Sequence, residues 1–210
     1  MSQSIIDTIK QYPIIPIFYD DDIDTCLTIF NKSYEAGIRV FEFVNRGKNS
    51  LENFEKLMNH RNTHAKDMLL GIGTIKTAEE AESFIKLDAD FLVSPIVNSK
   101  IAKVVNHHNK VWIPGAMTPT EIALCEELEA KIVKIFPAAT LGINYISSIK
   151  PLFPHLEFIV TGGISTDKNE IQKWFNADVL AIGLGNSLFK DLNNDESFKQ
   201  SIQDLIHQRK

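Results

Sequence analysis

The sequence predicts a single (β/α)8 barrel, a closed parallel sheet of the TIM-barrel class wrapped by helices. Three observations carry this. Short apolar runs of strand type alternate with amphipathic helical stretches along the chain, eight of each at periods of about 20 to 30 residues, with no low-complexity linker between them. The strand runs are apolar at nearly every position, as suits a parallel sheet covered by helices. Composition is that of a soluble globular protein, 44% hydrophobic and 23% charged over 210 residues, enough for the core of one domain spanning 1–210. The class averages about 250 residues, so this chain is short for it, and a doubly wound open sheet is the alternative; the count of eight favours closure.

Taken in order, Ser4 to Gln11 reads as a leading helix and Pro13 to Phe18 as the first strand, starting at a proline, where a strand tolerates one. Asp20, Asp21 and Asp22 offer N-cap acid for a helix from Ile23 to Ala36, whose apolar positions Ile23, Cys26, Leu27, Phe30 and Tyr34 recur at helical spacing before Gly37 ends it. Strand and helix then alternate: Ile38 to Val44, Ser50 to His60, Met68 to Gly73, Thr77 to Leu87, Phe91 to Ser94, Asn98 to His108, and a fifth strand from Val111 to Pro114. Thr118-Pro-Thr-Glu121 has capping-box spacing with proline in the first turn and opens a helix to about Glu129. Lys131 to Pro137 is the sixth strand, followed by a helix near Ile143 to Lys150, a strand from Glu157 to Thr161, a helix from Asp167 to Phe175 and a strand from Val179 to Gly183. A short helix after Gly185 and a terminal amphipathic helix from Glu196 to His207 complete the pattern.

A net charge of -5 gives no general attraction to nucleic acid or an anionic membrane, so neither is expected as a partner. The two cysteines, Cys26 and Cys125, lie in helical segments without metal or disulfide spacing and read as reduced core thiols. No basic leader and no apolar run of about 18 residues is present, which points to the cytoplasm.

In such a barrel chemistry belongs at the carboxyl ends of the strands. Lys134 sits in Lys131-Ile-Val-Lys-Ile-Phe-Pro137 and Glu42 in Val40-Phe-Glu-Phe-Val44, each an ionisable group inside an apolar strand. A lone lysine near a strand end can snorkel to water, and the two together can be a buried ion pair. They can equally act as nucleophile and proton shuttle, because a lysine attacks carbonyls where burial or a neighbouring cation keeps the amine neutral. Arg46 is the neighbouring cation and offers a bidentate fork for a carboxylate, with Thr74 as a further donor; a surface salt bridge is its other reading. Glycine pairs at Gly162-Gly163 and around Gly185 expose backbone N–H groups suited to an anion, although tight turns need glycine in any case. Gly71-Ile-Gly-Thr74 lacks the third glycine of a dinucleotide fingerprint. His60 and His64 have metal-like spacing but are expected in a polar loop without a third ligand, and His107-His108 ends a polar helix face, so no metal site is expected.

These rim residues resemble the 2-keto-3-deoxy-6-phosphogluconate / 4-hydroxy-2-oxoglutarate (KDPG/KHG) aldolase family, class I aldolases on a small (β/α)8 barrel. The likeness runs from Pro13 to about Phe189 through Gly37-Ile-Arg-Val-Phe-Glu42 with Arg46, Gly71-Ile-Gly-Thr74, Val93-Ser-Pro95, Ile113-Pro-Gly115, Thr118-Pro-Thr-Glu121, Val133-Lys-Ile-Phe-Pro137 and Thr161-Gly-Gly-Ile164. It implies that Lys134 forms a Schiff base and Glu42 is the general acid and base. It further implies that Arg46 and Thr74 hold a pyruvyl carboxylate, that Pro95 and Phe136 pack around it, and that Gly162, Gly163, Gly185 and Asn186 hold the distal phosphate or carboxylate. The implied substrate is a small keto acid, no metal or organic cofactor is needed, and the assembly is a homotrimer. The chain departs from the family pattern at Asn186, where many members have serine, at Ala139, where many have glutamate, and at the acidic Asp20 to Asp22. The departures leave open a phosphorylated sugar acid, 4-hydroxy-2-oxoglutarate or a 6-phosphogalactonate epimer. A catalytically silent barrel that binds an anionic metabolite, and a sugar-phosphate isomerase or epimerase, are the readings of other classes.

Overall fold

Nine short strands, all paired in parallel, form one sheet in the order β5-β4-β3-β2-β1-β9-β8-β7-β6 in a computed structural model that describes residues 2–190, 192, 194–206 and 208. The strands are β1 (Ile14–Phe18), β2 (Val40–Val44), β3 (Leu69–Gly73), β4 (Phe91–Val93), β5 (Val111–Ile113), β6 (Gly115–Ala116), β7 (Ile132–Ile135), β8 (Glu157–Thr161) and β9 (Ala181–Leu184). Between and around them lie α1 (Ser2–Gln11), α2 (Ile23–Glu35), α3 (Ser50–His64), α4 (Ala78–Lys86), α5 (Ser99–His107), α6 (Pro119–Glu127), α7 (Ala138–Leu141), α8 (Ile143–Ile149), α9 (Lys168–Asn176) and α10 (Asp195–Ile206).

The expected fifth strand, Val111 to Pro114, is divided. Proline has no N–H for the ladder, so β5 stops at Ile113 and β6 resumes at Gly115. The carbonyls on either side of the break close the barrel: Ile113 accepts from Ser94 N–H at 3.0 Å, and Pro114 accepts from Lys134 N–H at 2.8 Å. β5 and β6 therefore occupy one barrel position, and the predicted (β/α)8 barrel stands.

Side chains alternate across each strand, so one set fills the lumen and the other meets the helices. Ile15, Val40, Phe91, Val93, Val111, Ile113, Ile132 and Ile159 make the inner cluster, with Ile5 and Ile9 of α1 plugging the amino-terminal mouth. Gly71 belongs to this packing, because a Cβ there would overlap the Phe91 ring. Outside the strands, Phe30, Phe41, Phe54, Leu57, Phe158 and Trp174 bury the helices on the sheet, each large side chain contributing about 1.5–3 kcal/mol.

Helix starts follow the expected capping chemistry. The Asp22 side chain accepts from Thr25 N–H at 2.9 Å, and Thr118 with Glu121 forms a complete capping box ahead of α6. Three helical segments differ from expectation. α3 runs four residues beyond His60 to His64, because nothing from Arg61 to His64 breaks a helix and Thr63 Oγ1 donates back to the His60 carbonyl at 2.9 Å. His60 and His64 thus lie one turn apart on a helix with rings stacked at 4.3 Å, not in a polar loop. The short helix α7, after Pro137, has too few residues for any periodicity to announce it. The helix expected after Gly185 is a 3-10 turn, Asn186–Phe189, and His207, the expected end of α10, lies outside the described residues.

Candidate active site

Val40 and Ile132 point into the lumen, so Glu42 and Lys134, two residues further along β2 and β7, share that face one layer nearer the carboxyl rim. They are 2% and 7% exposed, and Glu42 Oε1 lies 3.6 Å from Lys134 Nζ. The ammonium also faces the Phe136 ring, 5.5 Å from its centroid. A charged pair taken this far from water must compensate its own desolvation through mutual contact.

Space for the carboxylate comes from the neighbouring strand. β2 and β3 pair with Glu42 beside Gly71 and Val44 beside Gly73. A Cβ on Gly73 would overlap the Glu42 carboxylate, with the carboxyl carbon only 2.7 Å away. Gly73 is therefore part of the site, although sequence reasoning singles it out only as a member of a glycine motif. The signal was present in principle, a glycine in a strand next to one bearing a buried acid.

The other expected residues lie where the strands end. Arg46 is two residues beyond β2 and exposed, and its guanidinium makes no ion pair or hydrogen bond among the described residues. Thr74, directly after β3, has φ +62°, a left-handed conformation that costs a β-branched residue energy. Pro95, half-buried after β4, approaches so closely that a Cβ on Gly115 would sit 2.6 Å from its carbonyl carbon. Phe136 is 39% exposed, and its ring edge lies 3.0 Å from where a Cβ on Gly162 would be.

Gly162 and Gly163 have φ of +98° and +77°, a turn that only glycine enters freely. With Gly185 and Asn186 they line an open depression of about 490 Å³, together with Ile17, Thr161, Ser165 and Ser187. Every side chain in that lining is uncharged, so an anion there would be held by N–H and O–H dipoles. Ser165 and Ser187 are additional polar groups that single-residue reasoning did not select; Ser187 Oγ donates to the Ile164 carbonyl at 3.3 Å, linking the two glycine turns. A separate depression of 370 Å³ at the amino-terminal rim, bordered by Ile6, Lys110, Trp112 and Lys131, receives none of the expected site residues.

Comparison with known proteins bears on this arrangement. The model of the family described as KDPG and KHG aldolase matches residues 5–203. A 2-dehydro-3-deoxy-phosphogluconate aldolase of Haemophilus influenzae is 30% identical over 164 residues, covering 78% of this chain and 76% of its own. Among solved structures, a 2-keto-3-deoxy-6-phosphogluconate aldolase of Zymomonas mobilis superposes with a TM-score of 0.83 at 21% identity, covering 95% of each chain. A KDPG aldolase of Legionella pneumophila, with pyruvate captured as a covalent carbinolamine intermediate, gives a TM-score of 0.81 at 23% identity, covering 96% of this chain and 95% of that one. A barrel with a lysine and a glutamate buried together in its lumen, matched by the family model over nearly its whole length, belongs to the KDPG and KHG aldolase family and is a carbon-carbon lyase.

Proposed function

We propose that the chain reversibly cleaves 2-dehydro-3-deoxy-6-phosphogluconate to pyruvate and glyceraldehyde 3-phosphate through a Schiff base on Lys134. The observation that carries this is the buried Lys134–Glu42 pair at 3.6 Å in the lumen. The neutral amine of Lys134 attacks the C2 carbonyl, and loss of water leaves a protonated imine. Glu42, acting through a water, takes the proton of the C4 hydroxyl. The C3–C4 bond breaks, its electron pair passing into the iminium to give an enamine while C4 leaves as an aldehyde. Glu42 returns the proton to C3, and hydrolysis of the imine frees pyruvate and the lysine. Arg46 and Thr74 hold the carboxylate of the pyruvyl unit, Pro95 and Phe136 pack against it, and Gly162, Gly163, Gly185 and Asn186 receive the distal phosphate.

A second reading, 4-hydroxy-2-oxoglutarate cleaved to pyruvate and glyoxylate, is favoured by one observation: the distal depression has no cationic side chain, and the acidic Asp20 to Asp22 segment follows β1, whose Ile17 lines it. A panel of aldehyde acceptors, phosphorylated and not, in the condensation direction separates the two, and the 6-phosphogalactonate epimer belongs in the same panel. A homotrimer in the cytoplasm, serving the Entner-Doudoroff branch of carbohydrate metabolism, completes the proposal. Light scattering at three times the 23.7 kDa chain mass checks the assembly.

The covalent step is tested by borohydride reduction in the presence of pyruvate. Wild-type protein gains the mass of a reduced pyruvyl adduct, and Lys134→Ala gains none. An adduct that persists in Lys134→Ala, or no adduct in the wild type, rules the mechanism out.

A further inference from the structure

The loop after β1 is stitched to the turn that carries Arg46. Gly47, the next residue, has φ +79°, and a Cβ on it would overlap the Tyr19 hydroxyl and lie 3.0 Å from the Asp21 carboxylate. The Tyr19 hydroxyl donates to that carboxylate. From the α3 side, Asn49 Nδ2 donates to the Asp21 carbonyl at 3.1 Å. Asn53, 2% exposed, donates to the carbonyls of Asp20 and Asp21, each at 3.1 Å. The Tyr19 ring rests on Phe43, next to Glu42 on β2, with centroids 5.6 Å apart.

The barrel has other contacts here. β1 and β2 already pair at Ile17 with Glu42 and at Phe18 with Phe43, and Asp22 caps α2 through Thr25. What the phenol and carboxylate do is fill the space above Gly47 and hold one turn, the turn that projects an Arg46 side chain with no partner of its own among the described residues. A bidentate guanidinium contact is directional, and a displacement of about 1 Å can cost up to a hundredfold in activity. Burial, then the hydrogen bond to Asp21, push the Tyr19 phenol up to about 12, so it remains a donor at any ordinary working pH.

We propose that Tyr19 and Asp21 are positioning residues that hold the Arg46–Gly47 turn so that the guanidinium is presented to the substrate carboxylate. The proposal rests on the reading of Arg46 given above. The chemistry of the pair limits which replacements can serve: asparagine at 21 keeps an oxygen that accepts from Tyr19, whereas alanine does not.

Steady-state kinetics on Tyr19→Phe, Asp21→Asn and Asp21→Ala, alone and in an Arg46→Ala background, provides the test. Tyr19→Phe and Asp21→Ala raise KM for the keto acid about three- to tenfold, the size of one hydrogen bond, with kcat within about twofold. Asp21→Asn falls between Asp21→Ala and the wild type. In the Arg46→Ala background the same changes add nothing to KM, because the group being positioned is gone. If Arg46→Ala raises KM while Tyr19→Phe and Asp21→Ala do not, the positioning role is overturned and the Arg46 reading survives. If Arg46→Ala leaves KM unchanged, both are overturned. A fall in kcat and melting temperature with KM unchanged means a structural role only and also overturns it.

Discussion

Glu42 Oε1 and Lys134 Nζ stand 3.6 Å apart in the lumen, with side chains 3% and 9% exposed, so each charge is compensated by the other in place of bulk water. Removing one partner strands the other, at about 3–5 kcal/mol. Glu42→Ala is expected to lose stability on that scale in urea denaturation, and the double variant Glu42→Gln/Lys134→Met to recover most of it. Turnover behaves differently: Glu42→Gln, which keeps the shape, lowers kcat by about 10²–10⁴, the usual contribution of general acid-base catalysis. Unchanged stability in Glu42→Ala would mean that the pair does not form in solution.

Gly73→Ala places a methyl group where the Glu42 carboxylate lies, 2.7 Å from its carboxyl carbon. Overpacking of this kind costs about 1–3 kcal/mol, and here the group displaced is the carboxylate we propose as the proton carrier. The expected result is a lowered melting temperature together with a kcat loss approaching that of Glu42→Gln. A Gly73→Ala enzyme of normal activity would show that the carboxylate can work from another position.

Cys26 and Cys125 are free and 1% and 0% exposed. Burial pushes the Cys26 thiol up to about 11, and burial followed by the nearby Glu121 charge pushes Cys125 up to about 12. The thiolate is the reactive form, so both should resist a disulfide reagent at pH 8 in the native protein and react fully in denaturant. Rapid titration of either thiol in folded protein would contradict this packing.

Asp67 accepts from the Tyr34 hydroxyl at 2.6 Å and from Arg39 Nε at 2.7 Å. Led by the Tyr34 hydrogen bond, these contacts hold its carboxyl below the ordinary 3.8. A carboxylate whose folded value is depressed stabilises the fold above its unfolded value and loses that contribution as pH falls through the folded one. Asp67→Asn should therefore lower the melting temperature at neutral pH, and its difference from wild type should shrink as the pH drops below 3.8. A difference that is constant from neutral pH into that acid range would show that the contacts do not depend on charge.

The strands are legible one by one because both of their faces are buried. β2 is buried at all five positions, one face in the lumen and the other under the helices, and such a run stays apolar with no alternation. Glu42 and Lys134 stand out for the same reason, since a charge in a doubly buried strand is costly unless it has a partner. The end of α3 and the break at Pro114 are less legible. Helix-tolerant residues after His60 give no stop signal, and a proline at a strand end reads as a boundary until the sheet shows strand pairing on both sides of it.

Residue types and their periodicity alone determine the alternation of strands and helices, the caps at Asp22 and Thr118, and the two charges that must be buried. Which groups meet is decided by register across the barrel. Strand pairing sets Gly73 beside Val44 and under the Glu42 carboxylate, curvature and closure bring β2 and β7 within reach across the lumen, and two loops distant in sequence interlock at Tyr19 and Gly47. The reason is physical: local propensity acts over a turn or a strand, whereas the space a side chain occupies is defined by its neighbours on other elements.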